Sequence, residues 1–366
     1  MSDPAEEPAG GQPVLTGPVH VVGTGLLGTS VGLAASQAGL EVWLTDTNHE
    51  HVRTASGLGA GTVAPPEGAA QLTVVAVPPD HIAESVVEAL ERGGVVTDVG
   101  SVKSLPLERI ADHADEALLA CYVGSHPMAG SERSGPLAAT AALFDGRPWA
   151  ITPHIHSSPE AISLVEALAR LCRAEPVRLS PVEHDRAVAR TSHLPHLLAV
   201  LTAGQLAEAQ PEHLSLSGQG VRDVTRIAAG DPDMWTQILR ANHAAVSDIL
   251  RDVQDDLARL VAVLAADDPD SLGEILTRGV TGTRAIPGKH GGPALATASV
   301  FVSVPDHPGE LARLFADVGE IGVNIEDLYI DHDPGRPVGL VELVVQDTAA
   351  ESLRGSLETR EWLTHR

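Results

Sequence analysis

The stretch Val19-His20-Val21-Val22-Gly23-Thr24-Gly25-Leu26-Leu27-Gly28 decides the fold. Its first four residues read as a short buried strand that runs straight into three glycines spaced G-x-G-x-x-G. Leu27, Val31, Ala34, Ala35 and Ala38 then recur at helical spacing until Gly39. Between a strand and a helix each glycine has a reason. Gly23 permits the tight turn, Gly25 lets a pyrophosphate approach the backbone, and Gly28 lets helix and strand pack closely. Leu26 and Leu27 open the helix, whose free amides and positive dipole end suit phosphate. A second strand, 41–45, ends at Asp46, about 20 residues past the last glycine. An acid there accepts hydrogen bonds from ribose hydroxyls and repels a 2′-phosphate, so NAD is expected rather than NADP. A glycine-rich turn with an unrelated aspartate would explain the glycines alone. It would not explain strand, turn, helix, strand and acid in that order.

The alternation continues outward. A strand over 72–77 is stopped by Pro78-Pro79, leaving Val77 at the rim of the same site. Strand 94–98 leads into Gly100-Ser101-Val102-Lys103. The apolar run 118–123 reads as a buried strand delivering Gly124-Ser125-His126-Pro127-Met128-Ala129-Gly130-Ser131-Glu132. Strands at 148–152 and 176–179 flank a helix over 160–172. Such alternation predicts an α/β, doubly wound, Rossmann-type domain with a parallel sheet over 17–180. Asp46, Ser101 and His126 fall just after strands and should gather on one sheet edge, where such folds bind ligands. His126 can take a proton near neutrality; taken alone, it caps a strand end equally well.

From 181 to 283 no strand is expected, only helices over 182–209, 220–229 and 233–266, with Pro195 kinking or breaking the first. Their apolar faces predict a homodimer, an all-α dimerisation domain. Two arginines four apart, Arg222 and Arg226, read either as a solvated face paired with Asp223 or as an anion clamp. His193 and His196, with His184 nearby, lack a carboxylate or cysteine at helical spacing, so no metal is expected. Residues 284–297 read as a linker, and 298–366 as a small α+β, ferredoxin-like unit with a βαββα run. Residues 1–16 are expected to be a disordered tail.

Composition sets the limits. The formal charge of −25 argues against nucleic acid or an anionic membrane surface as partner. Only 24 lysines and arginines are present, so a local arginine cluster is informative. No apolar run approaches a membrane span. Cys121 and Cys172 lie in apolar surroundings and suggest no disulfide or zinc site, which fits a cytoplasmic location.

Five blocks together resemble the prephenate dehydrogenase family over about 18–283: GTGLLGTSVGLA, DVGSVK, GSHPMAGSERSG, HDRAVARTSHLPHLLA and GVRDVTRIAAGDPDMW. The resemblance implies NAD-dependent oxidative decarboxylation of prephenate to 4-hydroxyphenylpyruvate, in tyrosine biosynthesis. It implies His126 as catalytic base, Ser101 holding imidazole and nicotinamide in register, and Arg226 binding the ring carboxylate. His193 would meet the substrate's side chain, with Glu132, Arg222 and Trp235 around the pocket. Arogenate or 4-amino-4-deoxyprephenate on the same scaffold is the near alternative. A non-catalytic regulatory protein that binds NAD(H) and an amino acid is the distant one. The tail, with Val304-Pro305-Asp306-His307-Pro308-Gly309-Glu310-Leu311 and Gly322-Val323-Asn324-Ile325, resembles an ACT domain. That implies either an amino-acid effector such as tyrosine or a purely structural appendage. Its fourth strand is expected to be short or missing.

Overall fold

The computed structural model describes residues 15–63, 68–130, 133–286, 296–332 and 338–365. They fall into two compact units, one up to Val261 and one from Ala262. In the first unit, β1 (Val19–Val22), α1 (Leu26–Gln37), β2 (Val42–Thr45) and α2 (His49–Gly57) precede β3 (Leu72–Val75), α3 (Ile82–Arg92) and β4 (Val95–Asp98). The four strands form a parallel sheet in the order β2-β1-β3-β4. The chain reverses its winding between β1 and β3, so the ligand crevice lies beyond the ends of those two strands. Val19, Val21, Leu72 and Val74 have no exposed surface and share one core with Val31, Ala35 and Val165.

The glycine loop closes over that crevice as the spacing requires. Gly23 has φ +95°, and a Cβ there would lie 2.4 Å from the Ala76 carbonyl oxygen and 3.1 Å from Val77 Cγ1. A Cβ on Gly28 would lie 1.9 Å from the Gly23 carbonyl oxygen, whereas one on Gly25 would meet nothing within 4 Å. The second glycine therefore faces open space, and the other two are locked by backbone.

Next come α4 (Ser104–Ala111), α5 (Glu116–Leu119), β5 (Gly124–Pro127), β6 (Pro148–Thr152), α6 (Pro159–Leu171) and β7 (Glu175–Arg178). The run 118–123 is not the strand that its apolar character suggested. Asp115 caps a helical turn by accepting from the Leu118 amide at 2.9 Å, and Leu119 ends it. Only Tyr122 bridges to Val96 of β4, and the strand proper is the polar Gly124–Pro127, so His126 lies within a strand. The layer also changes direction: β6 runs antiparallel to β5, and β7 parallel to β6.

Beyond Ser180 the helices are α7 (Pro181–Val188), α8 (Leu194–Ala207), α9 (Pro211–Leu214), α10 (Gln219–Arg226), α11 (Pro232–Ala241), α12 (His243–Ala266) and α13 (Pro269–Arg284). Ser180 and Glu183 form a reciprocal capping box at the start of α7. The expected helix over 182–209 is divided by a π turn at Ala189–His193, and Pro195 sits in the first turn of α8, where its missing N–H costs least. The helix expected over 233–266 is divided at Asn242. No helix among the described residues is long and apolar enough to cross a membrane.

Leu15 is buried, and the amides of Thr16 and Gly17 each donate to Gln71 Oε1 at 2.8 Å. The packed chain thus includes Leu15 and Thr16, which were expected in the tail; the rest of that tail lies outside the described residues. Most of the expected linker, 287–295, also lies outside them. Arg284 closes α13, and Thr297 opens β8 (Thr297–Pro305) of the second unit. There α14 (Glu310–Ile321), β9 (Asp327–His332), β10 (Val338–Gln346), α15 (Asp347–Thr359) and β11 (Leu363–His365) complete a βαββαβ plan. Its antiparallel order is β11-β8-β10-β9. The fourth strand is present but has only three residues. Leu314 and Val318 of α14 and Leu353 and Leu357 of α15 pack with Val302, Val341 and Leu343 in a separate core.

Urea denaturation should separate the two kinds of glycine. Gly28→Ala should lose roughly 1–3 kcal/mol or more, since its new methyl meets backbone. Gly25→Ala should stay within about 0.5 kcal/mol of the parent. Equal losses would contradict the assignment.

Candidate active site

The site is assembled at the end of β4. Asp98, fully buried, accepts from the Tyr122 hydroxyl at 2.7 Å, from the Gly100 amide at 2.8 Å and from Lys103 Nζ. Lys103, 1% exposed, also donates to the Ser125 carbonyl at 2.7 Å. Ser125 Oγ in turn donates to the Asp98 carbonyl at 2.8 Å. Burial pulls the Lys103 pKa down, opposed by the charges of Asp98 and Asp185. This network ties β5 to β4. Val96 of β4 bridges to Tyr122, and Ser125 is held by Lys103 and the Asp98 carbonyl, so His126 follows just beyond the end of β4.

His126, half-buried, begins a hydrogen-bonded chain. Its Nδ1 lies 2.9 Å from His184 Nε2, and His184 Nδ1 lies 2.9 Å from Asp185 Oδ1. Asp185 also accepts from the amides of Lys103 at 2.9 Å and Ser104 at 2.8 Å, where α4 begins. Burial works against the Asp185 charge, but the bonds from His184, Ser104 and Lys103 outweigh it and hold the carboxyl below its usual range. Burial, then the neighbouring His184, Lys103 and His193, push the His126 pKa well below 6.5. At neutral pH this ring is an uncharged base.

His193 is 1% exposed, lies 3.2 Å from Asn242 Nδ2 through its Nδ1, and is brought by burial to a pKa of about 4. In a regular helix His184 and His193 would point roughly 180° apart; the residue absorbed by the π turn reduces this to about 80°. Trp235 stacks on His196 at 3.6 Å and meets the edge of His193 at 6.0 Å. Burial also lowers the His196 pKa, and its Nδ1 has no partner among the described residues.

Other expected residues fall outside this cluster. Arg222 and Arg226 lie on the exposed side of α10, one turn apart, and Asp223 is engaged by Gln219 Nε2 at 2.9 Å. Glu132 lies outside the described residues. In the crevice, Asp46 Oδ2 accepts from the Thr24 amide at 2.6 Å and hydroxyl at 2.9 Å, and Oδ1 accepts from Asn48 N at 2.8 Å. The carboxylate is thereby fixed across the glycine loop, half-exposed, with lone pairs to spare. The open space at Gly25, the free helix start at Leu26 and Leu27, and this acid fit a dinucleotide. Sequence reasoning missed His184, Asp185 and Asn242 as site residues. The adjacent His184-Asp185 pair was the available signal, but it reads as an ordinary first turn of a helix.

A dinucleotide crevice beside an uncharged imidazole at the strand ends defines a nucleotide-dependent oxidoreductase. The chain matches the model for the prephenate dehydrogenase nucleotide-binding domain over residues 31–178. It matches that family's dimerization domain over 180–278. A Streptomyces niveus protein named "Probable prephenate dehydrogenase NovF" is 39% identical over 356 residues, covering 93% of this chain and 98% of its own. The Bacillus subtilis prephenate dehydrogenase is 28% identical over 328 residues, 85% of this chain and 87% of its own. The crystal structure of prephenate dehydrogenase from A. aeolicus, in complex with hydroxyphenyl propionate and NAD+, aligns with a TM-score of 0.67 at 26% identity. It covers 74% of this chain and 98% of its own. This chain belongs to the prephenate dehydrogenase family, and it is an NAD-dependent oxidoreductase.

Lys103→Met should cost about 3–5 kcal/mol in urea denaturation, because Asp98 is left buried and unpaired. Adding Asp98→Asn should restore part of that stability. A single variant within about 1 kcal/mol of the parent would contradict the role of the pair.

Proposed function

We propose that this protein oxidises prephenate to 4-hydroxyphenylpyruvate, with His126 as the base. The observation that carries the reading is the His126 imidazole, held uncharged by its surroundings and hydrogen-bonded to His184 beyond the end of β4. Bound NAD would supply the hydride acceptor for the hydroxyl-bearing ring carbon, whose oxidation with loss of carbon dioxide aromatises the ring. Gly23, Gly25, Leu26, Leu27, Gly28 and Val77 form its cradle, and Asp46 takes the ribose hydroxyls. His126 accepts the hydroxyl proton, a contribution of roughly 10²–10⁴-fold. Ser101 keeps imidazole and nicotinamide in register. Arg226 pairs with the ring carboxylate through two parallel N–H donors. His193, uncharged, meets the side-chain end by hydrogen bonding rather than as a cation. Glu132, Arg222 and Trp235 complete the pocket.

The assembly is a homodimer through the helical region 181–283. Leu201, Leu216, Val224 and Leu257, each at least half exposed in the single chain, support this. The linker 284–297 separates it from an ACT-like unit, 298–366, that takes an amino-acid effector such as tyrosine. The free thiols Cys121 and Cys172 support a cytoplasmic location.

NADH formation should be seen with prephenate and NAD, more than about tenfold faster than with arogenate. Activity on arogenate alone would replace the substrate, and silence on both would overturn the reading. His126→Asn should lose roughly 10²–10⁴-fold in kcat while keeping NADH affinity. Because burial opposes the imidazolium, kcat/KM should hold as pH falls below 6.5 and drop only through the lowered His126 pKa. An acid limb at or above 6.5 would contradict that environment. Asp46→Ser should relax the rejection of NADP; an unchanged cofactor preference would remove Asp46 from that role.

A further inference from the structure

We infer that His184 and Asp185 are positioning residues for His126: a His–His–Asp chain in which Asp185 sets the tautomer of both rings. The inference rests on the reading of His126 as the base. An ionised carboxylate can only accept hydrogen bonds. Asp185 is held from two sides: the Lys103 and Ser104 amides grip its oxygens, and its backbone carbonyl accepts from Asn242 Nδ2 at 2.8 Å. It is 5% exposed and His184 1%, so water offers little alternative partnership.

The proton positions follow from these contacts. Facing the carboxylate at 2.9 Å, His184 Nδ1 must carry the proton. In the proposed chain His184 carries that one proton, and its other nitrogen is bare. That bare Nε2 lies 2.9 Å from His126 Nδ1, so His126 Nδ1 must be the donor. The His126 Nε2 lone pair is thereby left to accept a proton. When substrate is oxidised, the O–H bond breaks, a new N–H bond forms at His126 Nε2, and the positive charge sits on His126. Its Nδ1–H then binds His184 Nε2 more strongly, with the Asp185 charge behind. The same logic orients the imidazole of the Ser-His-Asp triad, with one more ring interposed. The charged and titratable groups facing His126 are His184, His193 and Lys103, with Asp185 and Asp98 behind them.

The test is nitrogen-15 NMR of the full chain labelled at histidine, with the His126 signals assigned by their loss in His126→Asn. Wild type should show His126 protonated at Nδ1. Asp185→Ala, which removes the acceptor facing His184 Nδ1, should shift that proton toward Nε2. In kinetics, Asp185→Ala and His184→Phe should lose roughly 10²–10⁴-fold in kcat, with KM and NADH affinity within about threefold of wild type. His184→Gln, which keeps one donor and one acceptor in order, should remain within about tenfold of wild type. A wild-type His126 protonated at Nε2 would overturn the proposal. So would an unchanged kcat in Asp185→Ala, or His184→Gln losing as much as His184→Phe. The spectrum needs no substrate. A protein inactive on prephenate and arogenate would therefore end the substrate reading, while the NMR signals would still decide whether Asp185 sets the two tautomers.

Discussion

The buried ion pair between Asp98 and Lys103 is the constraint on which the site depends. Their side chains are 0% and 1% exposed, so each charge is balanced by the other rather than by water. Such a pair is retained only when its remaining donors and acceptors are satisfied. Here Tyr122, Gly100 and the Ser125 carbonyl do that. Those bonds end on the approach to β5, on the loop carrying Ser101 and on β5 itself, and Lys103 stands at the first turn of α4. The amides of that turn grip Asp185, so the same pair orders α7 as well. A change at Lys103 therefore reaches the imidazole chain without touching it. The lysine charge also helps keep His126 unprotonated.

Electrostatics here is local rather than global. The chain carries a formal −25, yet its proposed substrate is a dianion. The three histidines of the cluster with lowered pKa, His126, His193 and His196, are uncharged near neutrality and give no attraction. Positive charge near the proposed site includes buried Lys103 and the α10 arginines Arg222 and Arg226. Bidentate recognition by an arginine gives direction as well as charge, which suits a small rigid anion in an acidic protein.

The glycine loop was legible in the sequence because each glycine answers a backbone demand, and the structure shows those demands in the contacts a Cβ would make. The place of Asp46 at the end of β2 was also legible, and it is bonded there to Thr24 of the loop. The run 118–123 was not. Ala-Leu-Leu-Ala suits a helix and a buried strand alike, and Asp115 tips it toward the helix. Meanwhile Gly124–Pro127, polar enough to look like a loop, is a strand because β6 and the Asp98 network satisfy it. The imidazole chain was hidden more deeply. His126 and His184 meet across two elements far apart in sequence, and a π turn that no spacing rule announces decides where His193 points. The break at Asn242 was also unreadable, because apolar helical spacing continues through it. Its side chain joins the Asp185 carbonyl and His193.

The proposed chemistry turns on a single atom, His126 Nε2, as the acceptor of the substrate proton. A crystal structure with NADH and 4-hydroxyphenylpyruvate bound would place the reacting oxygen against it or away from it. The phenolic oxygen should lie about 2.6–3.2 Å from His126 Nε2, with His126 Nδ1 still bonded to His184. A phenolic oxygen held by other groups, with His126 turned away from it, would show that the proton goes elsewhere.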